Sequence, residues 1–206
     1  MKQNRNIKRC PWGKWGDSLY LKYHDKEWGV PVYDDRVIFE FLLLESAQAG
    51  LSWEIILRKR EGYRKAFRQF NPQKVAKMTQ RDAVRLLKNP KIIRNRLKIK
   101  AAINNAKCFL EVQKEFGNFS RYIWQFVGGK PIVNKRKELK DYPAKTKASE
   151  ALAKDLKARG FKFLGPVVCY AHMQATGLVN DHTVDCFRYK EVQKQLRRAG
   201  FSLKSN

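Results

Sequence analysis

Glu45 and Trp53 flank a helix break, Glu45-Ser46-Ala47-Gln48-Ala49-Gly50-Leu51-Ser52-Trp53. The apolar run Phe39, Phe41, Leu42, Leu43, Leu44 ends on the carboxylate, Gly50 interrupts it, and Ser52 is an N-cap with Trp53 in the next first turn. Such a segment sets one acid and one large flat ring at the lip of an apolar wall. That pairing suits an aromatic, positively charged ligand, because the ring offers its π face and the carboxylate its charge. A surface Glu beside a core Trp is the plainer alternative. Trp12 and Tyr23 belong to the same aromatic and acidic set. Trp15 and Trp28 are further candidates, although aromatics near a small domain's start commonly serve its core.

A second constellation is metal-like. Cys10 precedes His24 by fourteen residues, and His182 and Cys186 are four apart, a spacing that puts both on one face of a helix. Two thiolates and two imidazoles close a tetrahedral zinc site with no open position, which makes such a site structural: it would staple the N-terminus to the C-terminal helix. Ordinary buried cysteines and a locally bonded His24 account for the same residues. His172, Cys108 and Cys169 form no ligand pair and read as packing residues. A third constellation is a helix, a tight turn and a helix over 149–176. Gly165 allows close approach to the first backbone N–H groups of the second helix, and Lys154, Lys157, Arg159 and Lys162 add charge, which suits a DNA phosphate clamp.

The elements that must position these groups are helical nearly throughout. Asp34 or Asp35 caps a helix to Gln48, and 52–60 and 62–69 read as two short helices. Asn71-Pro72 opens a helix to about Met78, and Thr79 with Asp82 makes a capping box for one ending near Leu87. A long helix from about Asn95 to Lys114 is expected to bury Leu97, Ile99, Ile103, Ala106, Phe109 and Leu110. Residues 118–127 give a short helix, and Gly128 to Lys147 reads as a long exposed connection. Helices follow over 149–159, from Pro166 to about Thr176, over 182–187 and over about 189–199. The segments 131–133 and 161–163 are too short to seed a sheet. The expected fold is all-α.

Composition narrows the partners. The 206 residues carry a net charge of +25, from 44 Lys and Arg against 19 Asp and Glu, which points to a polyanion, most often nucleic acid. With 43% hydrophobic residues a real core is available. No apolar run approaches the roughly 18 residues of a membrane helix. Met1 to Arg9 lacks an apolar h-region, and four cysteines in a non-secreted chain argue against a disulfide framework. A cytoplasmic protein without membrane association is expected. Nothing marks a domain boundary, so one domain spans 1–206, with a core of about 9–187 and basic extensions at both ends.

Taken together, the sequence resembles the 3-methyladenine DNA glycosylase I family. The residues that carry the resemblance are Arg9-Cys10-Pro11-Trp12, Tyr23 to Pro31, Leu44-Glu45, Gln48 to Trp53, Ile92 to Arg96, Arg159 to Phe163, Tyr170, Met173-Gln174-Ala175 and Gly177 to His182. The resemblance implies a helix-hairpin-helix DNA glycosylase fold with the hairpin at 149–176. It implies one structural zinc on Cys10, His24, His182 and Cys186. It further implies that Glu45 recognises the methylated base, that Trp53 stacks on it, that Tyr23 and Trp12 complete the pocket, and that Gly50 and Leu51 approach the DNA where the base has left. The activity implied is hydrolytic removal of 3-methyladenine from alkylated double-stranded DNA by a monomer with no obligate protein partner. Val167 stands where lyase-competent relatives carry a lysine, so a monofunctional enzyme that leaves an abasic site is expected. Asn180 or Asp181 falls where many relatives of the superfamily place a catalytic Asp. Ser46 and His172 depart from the family pattern, which more often has glycine and an aromatic there. A non-catalytic DNA-binding module shares the charge and hairpin but needs no Glu45, and a zinc hydrolase would need an open metal position.

Overall fold

A helix whose residues Ile38 to Ala47 are all buried forms the centre of the molecule. In the computed structural model, which describes residues 7–198, this is α2 (Asp35–Gln48), preceded by α1 (Ser18–Lys26). It packs against α3 (Trp53–Ala66), α6 (Arg96–Phe116), α7 (Phe119–Trp124) and α9 (Pro166–Ala175). The remaining helices are α4 (Pro72–Ala76), α5 (Gln80–Leu87), α8 (Lys147–Ala158) and α10 (Phe187–Arg198). Caps account for most of the starts. Asp34 accepts from the N–H groups of Arg36 and Val37 at 2.8 and 2.9 Å, Asn71 and Asn95 cap α4 and α6, and Thr79 and Asp82 form the expected box. Asp35, in the first turn of α2, accepts from the backbone of Phe119 and Ser120 and so also caps α7.

Several expectations are corrected. A first helix that the sequence reading did not place, α1, is capped by Asp17, and Tyr20, Tyr23 and His24 share its buried face. The stretch 52–69 is one helix through Ala66, not two. Gly62 sits inside it because a Cβ there would lie 2.2 Å from the Lys91 carbonyl oxygen, so this glycine marks close packing rather than a break. Leu97 is 64% exposed, not core. Gly128 to Lys147 is not simply an exposed connection. Ile132–Val133 (β1) pairs in parallel with Val179–Asn180 (β2), and Arg136 bridges Thr183. That pairing explains why 182–187 is not a helix: the Val184 N–H donates to the Arg136 carbonyl at 2.8 Å, which draws the chain along the ladder. The first six residues and the last eight, which include most of the N-terminal basic extension and the end of the C-terminal one, lie outside the described residues. Among the described residues no helix is long and apolar enough to cross a membrane.

His172 is fully buried in α9, and neither ring nitrogen has a hydrogen-bond partner. Burial pushes its imidazole down to about 3, so it stays uncharged at neutral pH. The unfolded chain binds a proton near pH 6.5 that the fold does not, so stability is lost as pH falls from about 6.5 towards about 3. His172→Phe removes two orphaned polar atoms and is expected to stabilise the protein by about 1–3 kcal/mol, with the gain larger at pH 5 than at pH 7.5. Urea denaturation at the two pH values checks this; equal or lower stability would mean that the imidazole has a role the packing does not reveal.

Candidate active site and metal cluster

A cavity of about 330 Å³ opens where α1, α2, α3 and α9 converge, a volume that admits one planar base but not a stacked strand. Glu45, at the end of α2, Trp53, at the start of α3, Tyr23 on α1 and Trp12 from the N-terminal turn all line it. The four residues expected to form a pocket are therefore together. Trp28 also lines it. Trp15 instead packs on Trp12 with ring centres 5.7 Å apart.

Glu45 is only 3% exposed and takes no hydrogen bond from the described residues. Burial alone pushes its carboxyl up to about 8, so it awaits a positive partner. Tyr23 is likewise raised well above the usual phenol range, by burial first and then by Glu45, and keeps its proton. The indole N–H groups of Trp12 and Trp53 are buried without hydrogen-bond partners among the described residues. Orphaned polar atoms around one cavity are expected of a binding site without its ligand.

Sequence reasoning missed much of the wall. Gln48, Leu139, Tyr142, Val167, Tyr170 and Gln174 also face the cavity. Tyr142 and Leu139 come from the segment taken for an exposed connection. Gln48 and Gln174 lay within motifs quoted for the family, but no polarity or spacing signal distinguished them.

Asp181 is fully buried behind this wall and accepts four hydrogen bonds. Asn134 Nδ2 and Arg136 Nε donate to one oxygen at 2.6 and 3.2 Å. The Tyr170 hydroxyl and Gln174 Nε2, the latter at 2.8 Å, donate to the other. A carboxylate has about four lone-pair sites, so none remains for a water or a sugar. Asn180 is similarly occupied, accepting from the His182 N–H and donating to the Tyr189 carbonyl. Neither residue lines the cavity.

Cys10, His24, His182 and Cys186 form one buried cluster whose donor atoms all lie within 4.8 Å of one another. His182 Nδ1 is 3.4 Å from Cys10 Sγ and 3.6 Å from Cys186 Sγ, and His24 Nε2 is 3.5 Å from Cys186 Sγ. A tetrahedral ion with bonds of ~2.3 Å to sulfur and ~2.0 Å to nitrogen has S···N edges of about 3.5 Å. The outward ring nitrogens are engaged: His24 Nδ1 bonds an Asp25 oxygen at 2.7 Å and His182 Nε2 the Trp28 carbonyl at 3.0 Å. Each imidazole thus turns its lone pair to the cluster. The donor set fits a closed metal site. The pair His182 and Cys186 reaches it from a turn before α10, not from a helix face.

The expected DNA-contacting residues do not themselves line the cavity, but Gly50 and Gly165 each lie two residues along the chain from one that does, Gln48 and Val167. Gly50 has φ +77° with open space before it, and Leu51 is 37% exposed. Lys98 Nζ donates to the Ala47 and Ala49 carbonyls at 2.7 and 2.6 Å and holds this turn in place. Lys162 is exposed, and its backbone is pinned at both polar groups by Asn105 of α6. Gly165 is the N-cap of α9 with no side-chain cap, so the first free N–H groups of that helix face outward.

Fold and site together define a mostly helical, strongly basic protein with an aromatic cavity that also holds a buried acid. Residues 12–189 match the methyladenine glycosylase family. The DNA-3-methyladenine glycosylase of Haemophilus influenzae is 52% identical over 179 residues, which cover 86% of this chain and 96% of that one. A crystal structure of 3-methyladenine DNA glycosylase I superposes with a TM-score of 0.85 at 50% identity, covering 87% of this chain and 98% of the other. A variant of 3-methyladenine DNA glycosylase I crystallised with 3-methyladenine superposes at 0.81 with 43% identity, over 83% and 92% of the two chains. The chain belongs to the methyladenine glycosylase family.

Proposed function

We propose that the protein removes 3-methyladenine from alkylated double-stranded DNA by hydrolysis and leaves an abasic site. The observation that carries this is Glu45, a buried carboxyl group with no hydrogen-bond partner among the described residues, in a cavity lined by six aromatic side chains. Methylation at N3 makes adenine cationic, so the extruded base brings the charge that Glu45 lacks. Trp53 supplies the ring on which it stacks, and Tyr23 and Trp12 close the sides. As the bond from C1′ to the base breaks, the bonding electrons neutralise the departing base. No strong acid is needed. Water adds to the oxocarbenium carbon and loses a proton to solvent.

In this reading Leu51, at the tip of the Gly50 turn, fills the gap the base has left. The hairpin of α8, Phe161 to Gly165 and α9 is a helix-hairpin-helix clamp, with Lys162 and the uncapped N–H groups of α9 on a phosphate. Val167 at the cavity rim and the lack of any lysine among its lining residues support a monofunctional enzyme. Asp181, with its acceptor sites filled, is a positioning residue. One zinc ion on Cys10, His24, His182 and Cys186 would supply a structural staple, and four protein donors leave no seat for a metal-bound water.

The test is release of free base from N-methylated duplex DNA, with products separated by chromatography. Wild type is expected to free 3-methyladenine, and Trp53→Ala to do so about tenfold more slowly through lost stacking. Strand nicking by the purified protein without added base or heat would overturn the monofunctional reading, and release of no base would overturn the reading as a whole.

A further inference from the structure

The Asp181 network fixes which atom Gln174 offers to the cavity. Gln174 Nε2 donates to Asp181 at 2.8 Å, and Oε1 takes no hydrogen bond from the described residues. The side chain lines the cavity, so the amide meets a ligand through its carbonyl oxygen, an acceptor. Tyr170 cannot contribute in the same way. Its hydroxyl donates to Asp181 and accepts from Arg136 Nη2 at 3.1 Å, so that side chain presents only its ring. The orientation of Gln174 is not arbitrary, because Asp181 is acceptor-only when ionised and would repel an amide oxygen.

We propose that Gln174 is a specificity-determining residue, whose carbonyl oxygen accepts a hydrogen bond from the amino group at C6 of an adenine-type base and disfavours the C6 carbonyl of a guanine-type base. This rests on the excision reading above and names the substrate preference of that site. Asp181 is its positioning residue. The two oxygens of Asp181 serve two pairs of donors, and Arg136 and Asn134 together hold one of them. In Asp181→Asn the remaining acceptor stays on the Arg136 side, and the new amide nitrogen faces Gln174. The Gln174 amide then turns over and presents a donor to the cavity.

The experiment compares release of 3-methyladenine and 3-methylguanine from the same N-methylated duplex DNA by wild type, Gln174→Leu and Asp181→Asn. Metal content and melting temperature are measured on each protein. Gln174→Leu is expected to slow 3-methyladenine release about three- to tenfold with a smaller effect on 3-methylguanine, as for loss of one hydrogen bond. Asp181→Asn is expected to shift the ratio of the two rates further towards 3-methylguanine. A merely structural role would slow both bases equally, so an unchanged ratio in both variants, with wild type active, overturns this inference and leaves the excision reading standing. Release of neither base by wild type overturns both. If Gln174→Leu does not fold, the ratio for Asp181→Asn decides alone: unchanged, it overturns the proposal.

Discussion

Glu45→Gln is expected to slow 3-methyladenine release about 100-fold while making the folded protein more stable at alkaline pH. The rate effect is that of removing one preorganised charge from a water-poor site. The stability effect follows from linkage. Burial holds the Glu45 carboxyl at about 8, against 4.5 for the ordinary group, so between these values the folded protein keeps a proton that the unfolded chain has released. Stability therefore falls as pH rises through that window, and the penalty is complete above about pH 8. Glutamine cannot ionise and escapes it. Its buried amide keeps some desolvation cost, so a gain of about 2 kcal/mol at pH 8.5 and little at pH 5 is expected. The same titration predicts that kcat/KM of wild type climbs with pH to a plateau near 8, and that this limb is absent in the variant. Single-turnover release and denaturant unfolding at several pH values measure both effects. Loss of activity together with loss of stability would show that Glu45 is a structural group and that the cavity has another anchor.

What could be read from the sequence divides by range. Caps are local, so Asp34, Asn71, Thr79 and Asn95 announced their helices. Glu45 and Trp53 were legible because the glycine break and the Ser52 cap lie between them. Cys10, His24, His182 and Cys186 could be grouped because metal chemistry admits few residue types. The plain alternatives for both sets were weakened by geometry: the cavity gathers the first and a 4.8 Å cluster the second. Asp181 and Gln174 were not legible as a pair. Their partners Asn134 and Arg136 sit in a lysine-rich stretch whose composition reads as solvent-exposed, and only pairing of β1 with β2 brings it over the cavity. Gly62, at the boundary between the two short helices expected over 52–60 and 62–69, lies inside one helix against the Lys91 backbone. A glycine that admits another segment's backbone looks, in one dimension, like a glycine that ends a helix.

Removing the proposed zinc is expected to cost the protein stability without altering its chemistry. Cys10 lies in the irregular N-terminal segment, and His182 and Cys186 lie in the turn that β2 leads into, so few regular hydrogen bonds hold these ends together. The cluster also borders the cavity wall: Trp12 packs edge-on against His24 and Trp28, with ring centres 5.5 and 4.7 Å away. Chelation at neutral pH is expected to lower stability by about 4 kcal/mol and the melting temperature by about 10 °C, with Trp12 fluorescence among the first signals to change. Cys186→Ser should bind the ion weakly and behave similarly. Cobalt substitution gives a second reading of the site. A four-protein-ligand S₂N₂ site should give the absorption of tetrahedral cobalt thiolate and release 3-methyladenine at the zinc rate, because four protein donors would leave no seat for a water. A rate that follows the identity of the metal would mean that the ion takes part in the reaction, and an unchanged melting temperature after complete metal loss would leave the four residues as an ordinary buried cluster.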